Sequence, residues 1–236
     1  MSFVDQTIMN QHETEFITIQ EQLRDKIELT NNFDPKAVKL VAGVDIAYWT
    51  ESGTDYGVCC IVVVDYHRKK AVEEVSFLGN ITVPYIPNFL AFRELPLVLE
   101  TVRKLASKPD VYMFDGNGYL HVRHMGIATH ASFYLNTPTI GVAKQYLKIN
   151  NTDFIQPENQ KGAYTDIVIE DEIYGRVLCT REQVKPVFVS CGNWIDLDTA
   201  TDITLHLVEN NSRLPVTTRY ADLVTHRERA KFTSKI

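Results

Sequence analysis

Apolar residues recur at two periods along this chain, and the switches between them divide it into elements. Between Glu13 and Leu29, Phe16, Ile19, Leu23 and Ile27 fall three or four residues apart among polar neighbours. That spacing predicts an amphipathic helix, ended by Asn31, Asn32 and Asp34-Pro35. Three strand-like segments follow: Lys39 to Tyr48, Tyr56 to Tyr66 and Ala71 to Phe77. The charged turn His67-Arg68-Lys69-Lys70 makes a hairpin of the second and third. Val83 to Pro87 carries two prolines and reads as an irregular connection. Phe89 to Ala106 returns to helical spacing, with Leu95, Val98, Leu99, Val102 and Leu105 on one side. Pro96 lies in that helix's first turn or kinks it. Val111 to Phe114 reads as a short buried strand ending at Asp115 and the turn Gly116-Asn117-Gly118. Gly126 to Leu135 predicts a small-residue helix, and Thr139 to Val142 another strand. A hairpin is expected over Tyr164 to Thr180, turning near Tyr174-Gly175, then a strand at Pro186 to Ser190 and a helix at Asp198 to Val208. The order β-β-β-α-β-α-β with additions indicates an α/β fold, a mixed central sheet flanked by helices.

Composition narrows the class. The 236 residues are 44% hydrophobic and 23% charged, which suits a folded domain and excludes disordered and fibrous chains. One domain is expected over residues 1–236, with 1–30 as a helical lead-in. The longest apolar run, Val58 to Val64, is far shorter than the roughly 20 residues of a membrane-spanning helix. The N-terminus, with Asp5, Glu13 and Glu15, lacks a signal-peptide pattern. Cys59, Cys60, Cys179 and Cys191 include no C-x-x-C pair, so they read as reduced thiols of a cytosolic or nuclear protein. Adjacent Cys59 and Cys60 should face opposite sides of a strand.

Charge adds a local asymmetry. Lys and Arg number 24 against 30 Asp and Glu, a net −6, which argues against coating nucleic acid over the whole surface. Residues 213–236 run the other way. They hold Arg213, Arg219, Arg227, Arg229, Lys231 and Lys235 against Asp222 and Glu228. This basic C-terminal segment is expected to form a phosphate-contacting strip.

Candidate chemistry sits at strand ends. Asp45 lies inside the apolar run Val41-Ala42-Gly43-Val44-Asp45-Ile46-Ala47-Tyr48, where a lone carboxylate is costly unless paired or metal-bound. Asp115 ends a second apolar strand, and Glu94 lies early in the helix between them. Gathered together, such carboxylates need a cation, and hard oxygen ligands select Mg²⁺ or Mn²⁺ over zinc. His121-Val122-Arg123-His124 adds imidazoles and a guanidinium able to hold phosphate. Lys144, just past a buried strand, would reach the same sheet edge. Pro84-Tyr85-Ile86-Pro87 stiffens a loop and presents one aromatic ring, suited to wedging into a base stack. Each of these residues has an ordinary structural use, so the combination carries the case.

Together these segments resemble the endonuclease V family, nucleases acting at deaminated purines. The pattern runs through V-A-G-V-D-I-A-Y around Asp45, P-Y-I-P-N-F-L-A-F-R-E from Pro84 to Glu94, and D-G-N-G-Y-L-H-V-R-H-M-G from Asp115 to Gly126. It continues through P-T-I-G-V-A-K from Pro138 to Lys144, K-P-V-F-V-S-C-G from Lys185 to Gly192, and R-L-P-V-T-T-R-Y-A-D from Arg213 to Asp222. The resemblance implies an RNase H-like fold. It implies Asp45, Glu94 and Asp115 as ligands of Mg²⁺, with Mn²⁺ substituting, and Asp222 as an outer acid near that metal. Lys144 and His121 would contact or stabilise the reacting phosphate, and Tyr85 would fill the gap left by a flipped base. Leu90, Gly116, Gly126, Ile127 and Leu147 lie where the family forms its hypoxanthine pocket.

The implied reaction is Mg²⁺-dependent hydrolysis of the second phosphodiester 3′ to inosine. It leaves 3′-hydroxyl and 5′-phosphate ends and initiates DNA repair without removing the base. The implied partner is inosine-containing DNA, with RNA left open, and the implied setting is a cytoplasmic monomer. An inosine-specific endoribonuclease, a structure-specific RNase H-like nuclease and a binding module without turnover stay as alternatives. Val122 stands where the family usually has Pro, Gln145 where it often has Ser, and Asn193 where it commonly has His. None of these replaces an implied metal ligand.

Overall fold

The computed structural model describes residues 3–233. Its centre is an eight-stranded sheet with strand order β3-β2-β1-β4-β5-β8-β7-β6. β1 (Leu40–Glu51), β2 (Thr54–Asp65) and β3 (Lys70–Asn80) form an antiparallel meander, Gly43 lying opposite Val62 and Val62 opposite Glu74. β4 (Val111–Phe114) runs parallel to β1, and β5 (Thr139–Ala143) parallel to β4. β8 (Val187–Asn193), β7 (Glu172–Leu178) and β6 (Tyr164–Ile169) follow antiparallel. This is the expected mixed sheet.

Helices cover both faces, which explains why β2 is buried from Gly57 to Val64 without alternation. On one face α4 (Leu197–His206) and α5 (Val216–Thr233) pack Ile203, Ala221 and Val224 against Val41, Cys60, Val62 and Met113. On the other, α2 (Leu90–Val102) and α3 (Ile127–Leu135) pack Leu95, Val98 and Ala128 against Ala42, Val44, Cys59 and Phe114. Cys59 and Cys60 thus face opposite layers, and all four cysteines are free and buried. α1 (Phe3–Arg24) covers the loop before α2, where Phe16 packs on Ile86 and Phe89 and stacks on Phe92 at 3.9 Å.

Several boundaries differ from the sequence expectation. α1 stops at Arg24, not Leu29. Of the two places open to Pro96, the structure shows the one inside α2 and not the one in its first turn. The β6–β7 turn falls at Glu170-Asp171, not at Tyr174-Gly175. Both turn residues have positive φ, 51° and 66°, as a tight hairpin turn requires. Gly175 is glycine for a different reason: a Cβ there would lie 2.6 Å from the Val189 carbonyl oxygen of β8.

α5 is the element the sequence pattern hid, because threonines Thr217, Thr218 and Thr225 make up much of its buried face. The basic C-terminal segment is therefore mostly a helix, and its charges are engaged. Arg227 pairs with Glu74 and Glu228, and Lys231 with Glu228 at 2.7 Å. Arg219 bonds Asn211 at 2.7 Å, and Arg229 bonds His226 at 3.1 Å. Lys235 lies outside the described residues.

α5 seats directly on β1. A Cβ on Gly43 would come within 2.2 Å of the Thr217 carbonyl group. Gly43→Ala is therefore expected to destabilise the protein by about 1–3 kcal/mol. The check is the urea midpoint, and an unchanged midpoint would contradict this seating.

Candidate active site

The parallel register of β1 and β4 builds the site. Val44 lies opposite Phe114, and the Asp115 amide donates to the Val44 carbonyl at 3.3 Å. Asp45 and Asp115 are consequently the next pair along two adjacent strands. β4 ends there, so a helix on the far face can reach round its end, and α2 brings Glu94 from that side. Lys144, immediately after β5, places Nζ 2.5 Å from Asp115 Oδ2 and 3.0 Å from Asp222 Oδ1 of α5. The structure thus groups five predicted residues at one end of the central strands.

Each carboxylate has a protein partner. Thr225 Oγ1 donates to Asp45 Oδ2 at 2.8 Å, and the Tyr48 phenol donates to Glu94. The Arg93 guanidinium lies 5.1 Å from the Tyr48 ring centre and donates to the Val83 carbonyl at 2.6 Å. His226 approaches Asp222 at 3.8 Å. Sequence reading missed Tyr48, Thr225 and Arg93. Tyr48 and Arg93 each stand within three residues of a named acid, whereas Thr225 needed α5 to be visible.

Electrostatics show an acidic site short of positive charge. Burial, reinforced by Asp115 and Asp222, raises the Asp45 carboxyl to about 6 against the pull of Thr225 and Lys144. Burial, reinforced by Asp45 and Asp115, raises Glu94 to about 7 despite the Tyr48 hydrogen bond. Asp115 is raised by burial and restrained by Lys144. Burial opposes the Lys144 charge, but Asp115 and Asp222 outweigh it and hold the ammonium above its usual range.

Among the described residues, no three acidic, imidazole or thiol side chains stand ready to grip a metal ion. Tyr48 ties Glu94 on the α2 side, and the Lys144 ammonium sits between Asp115 and Asp222. The donor chemistry nevertheless fits a hard divalent cation. The donors are all carboxylate oxygens, and their raised proton affinity expresses an unmet demand for positive charge.

A cavity of about 150 Å³ opens beside this cluster. Leu90, Gly126, Ile127, Leu147, Asn117 and His121 are among its lining, with Tyr85 at its rim. Tyr85 is 66% exposed on its proline-bounded loop. Gly116 adjoins the lining, where a Cβ would lie 2.7 Å from Ile127 Cγ2. Gly118 lets the same turn lie flat on β8, since a Cβ would come 2.1 Å from the Cys191 carbonyl oxygen.

His121 and Arg123 are held by the protein itself. The His121 ring is buried and lowered to about 4, by burial first and then by Arg123. Its Nε2 donates to the Asn88 carbonyl at 3.1 Å, and Nδ1 accepts from the Arg123 and Met125 amides at 3.2 and 3.3 Å. With both nitrogens engaged, the His121 ring is held against the cavity wall. Arg123 donates to Gln20 at 2.6 Å and lies 4.6 Å over the Phe89 ring. It ties α1 to the Tyr85 loop and does not line the cavity. Of the departures, Gln145 lies on the surface next to Lys144, and Asn193 accepts the Glu28 amide at 2.8 Å.

A mixed sheet with carboxylates on adjacent strand ends, a lysine among them and a cavity alongside defines a nuclease-type hydrolase site. The family model for endonuclease V matches residues 21–223, and the chain belongs to that family. It is accordingly an endonuclease that hydrolyses phosphodiester bonds, and nucleases of this family depend on a divalent metal.

The chain is 62% identical over 217 residues to endonuclease V of Bacillus thuringiensis subsp. konkukian, covering 92% of each chain. It superposes on the Bacillus subtilis endonuclease V crystal structure with a TM-score of 0.92 and 52% identity, covering 95% of this chain and 94% of that one. It also matches Ciona intestinalis endonuclease V, solved in complex with a 24mer DNA containing an inosine followed by a ribo-adenosine. That match has a TM-score of 0.84 and 29% identity, covering 94% of this chain and 99% of that one.

The raised carboxyls set a pH dependence. In chelator, folded Asp45 and Glu94 bind protons more tightly than the unfolded chain does. Their contribution to stability is therefore full below about pH 4 and is lost as the pH rises through about 6 to 7. For Asp45 alone the loss is on the order of 3 kcal/mol. Urea midpoints across this range should fall for the wild type and fall less for Asp45→Asn. Equal slopes would contradict the assignment.

Proposed function

We propose that this endonuclease recognises a deaminated purine, inosine above all, in DNA and cuts the second phosphodiester 3′ to it, opening a repair reaction in the cytoplasm. The observation that carries this reading is the small cavity rimmed by exposed Tyr85 beside the Asp45–Asp115–Lys144 cluster. Inosine pairs weakly with its mismatched partners, so its extrusion costs less than that of a normal base. The cavity suits one planar base, and the exposed Tyr85 ring would fill the space the base leaves.

Asp45, Glu94 and Asp115 would hold the metal, Mg²⁺ with Mn²⁺ as substitute, with Asp222 outside them. When bound, the cation activates water and neutralises charge on the scissile phosphate. The chain's own residues do the rest. Tyr48 and Thr225 orient Glu94 and Asp45 through their hydrogen bonds. Lys144 keeps its ammonium charged and presents it where a phosphoryl oxygen would gain charge. His121 and Arg123 fix the cavity wall and the Tyr85 loop. No side chain is required to attack the phosphate.

End-labelled strands carrying one inosine test the reading. With Mg²⁺ the wild type should cut the inosine strand and leave the matching adenine strand whole. Asp115→Asn should bind the inosine strand with similar affinity but cut it at least about 100-fold more slowly. Parallel inosine strands of DNA and RNA reveal which backbone is preferred. Unchanged cutting by Asp115→Asn, or equal cutting of adenine strands, would overturn the proposal.

A further inference from the structure

A second and larger cavity, of about 520 Å³, lies on the other side of Lys144. Its lining includes Lys144, Tyr146, Phe154, Lys185, Phe188 and Arg213, and the lining residues carry three cations and no acid. That balance is the reverse of the acidic cluster it adjoins and of the chain's net −6. Tyr146, Phe154 and Phe188 form a mutually packed aromatic patch, with ring centres 5.1 to 5.4 Å apart. The Tyr146 phenol is anchored to the Thr152 carbonyl at 2.9 Å. Arg213 spans the carbonyls of Pro186, Lys185 and Lys144 at 2.7, 3.3 and 3.4 Å. The two walls, from the ends of β5 and β8, are thereby locked together. Lys185 is exposed at the edge.

We infer that this basic, aromatic-floored groove is a subsite for the first nucleotide 3′ of the cut bond, taking its base on the aromatic patch and its phosphate at Lys185. The inference rests on the cleavage position proposed above. The segment from Lys144 to Leu147 borders both cavities: Leu147 lines the smaller one, while Lys144 and Tyr146 line the larger. A strand whose inosine enters the first and whose scissile phosphate meets Lys144 continues over the second. Aromatic faces flanked by cations bind single-stranded nucleotides with little regard to sequence. That tolerance is what an enzyme needs on the side where the neighbouring base is arbitrary. Gln145 and Gln156 add neutral amides to the lining, able to donate to or accept from any base edge.

The test uses inosine DNA strands with either an ordinary nucleotide or an abasic spacer at the first position 3′ of the cut. Wild-type affinity should fall about tenfold on the spacer strand. Phe154→Leu, which keeps an apolar filling, should lose a similar factor on the ordinary strand and become indifferent to the spacer. Lys185→Ala, at an exposed position, should weaken binding and reduce the dependence of log affinity on log salt by about one. If the wild type prefers inosine but ignores the spacer, or if Lys185→Ala leaves the salt dependence unchanged, the subsite is overturned while the function stands. If inosine and adenine strands are cut equally, the function is overturned and the subsite falls with it.

Discussion

The parallel pairing of β1 with β4 is the constraint on which the rest depends. It sets Asp45 beside Asp115, two carboxylates that neither solvent nor each other would choose as neighbours. The surrounding elements offset the cost of burying them together. β5 delivers Lys144 to Asp115, α5 delivers Thr225 to Asp45 and Asp222 to Lys144, and α2 delivers Glu94 with its Tyr48 partner. A buried charge cluster is weak evidence for stability and strong evidence for a task. Here the cost is accepted at the end of a sheet whose hydrophobic layers on both faces are continuous.

Much of this was legible from residue order because apolar runs and punctuation agree. Tyr56 to Tyr66, rich in β-branched and aromatic residues, reads as a strand, and its apolar run Val58 to Val64 is buried. Asp45, Asp115 and Lys144 each follow or interrupt an apolar segment, so they could meet at one sheet edge if those strands were neighbours, and the parallel pairing of β1 with β4 makes them so. What stayed hidden has physical causes. α5 buries threonines and exposes arginines, which blurs the helical period. The hairpin turn at Glu170-Asp171 uses residues that tolerate left-handed backbone less readily than glycine, so Gly175 drew attention away from it. Spacing alone could not show that the His121 nitrogens are both engaged, since their partners come from the Asn88 loop and from the ring's own turn.

The charge distribution also takes a different form in three dimensions. The basic C-terminal segment is not a free strip, because Arg227 and Lys231 meet Glu74 and Glu228. Positive charge lining the groove beside the site comes from Lys144 and Lys185, with only Arg213 drawn from the C-terminal segment. The net acidity belongs partly to carboxylates that a cation would neutralise, so it does not oppose nucleic-acid binding where the chemistry occurs.

The central claim is that burial, reinforced by neighbouring carboxylates, leaves Asp45 short of positive charge that a divalent cation supplies. Thermal unfolding at about pH 8, with chelator and then with Mn²⁺, tests it on the wild type and Asp45→Asn. The account predicts that Mn²⁺ raises the wild-type Tm by several degrees. Asp45→Asn should be more stable than the wild type in chelator and should lose most of the Mn²⁺ response. A wild-type Tm indifferent to Mn²⁺, or an Asp45→Asn protein less stable than the wild type in chelator, would contradict it.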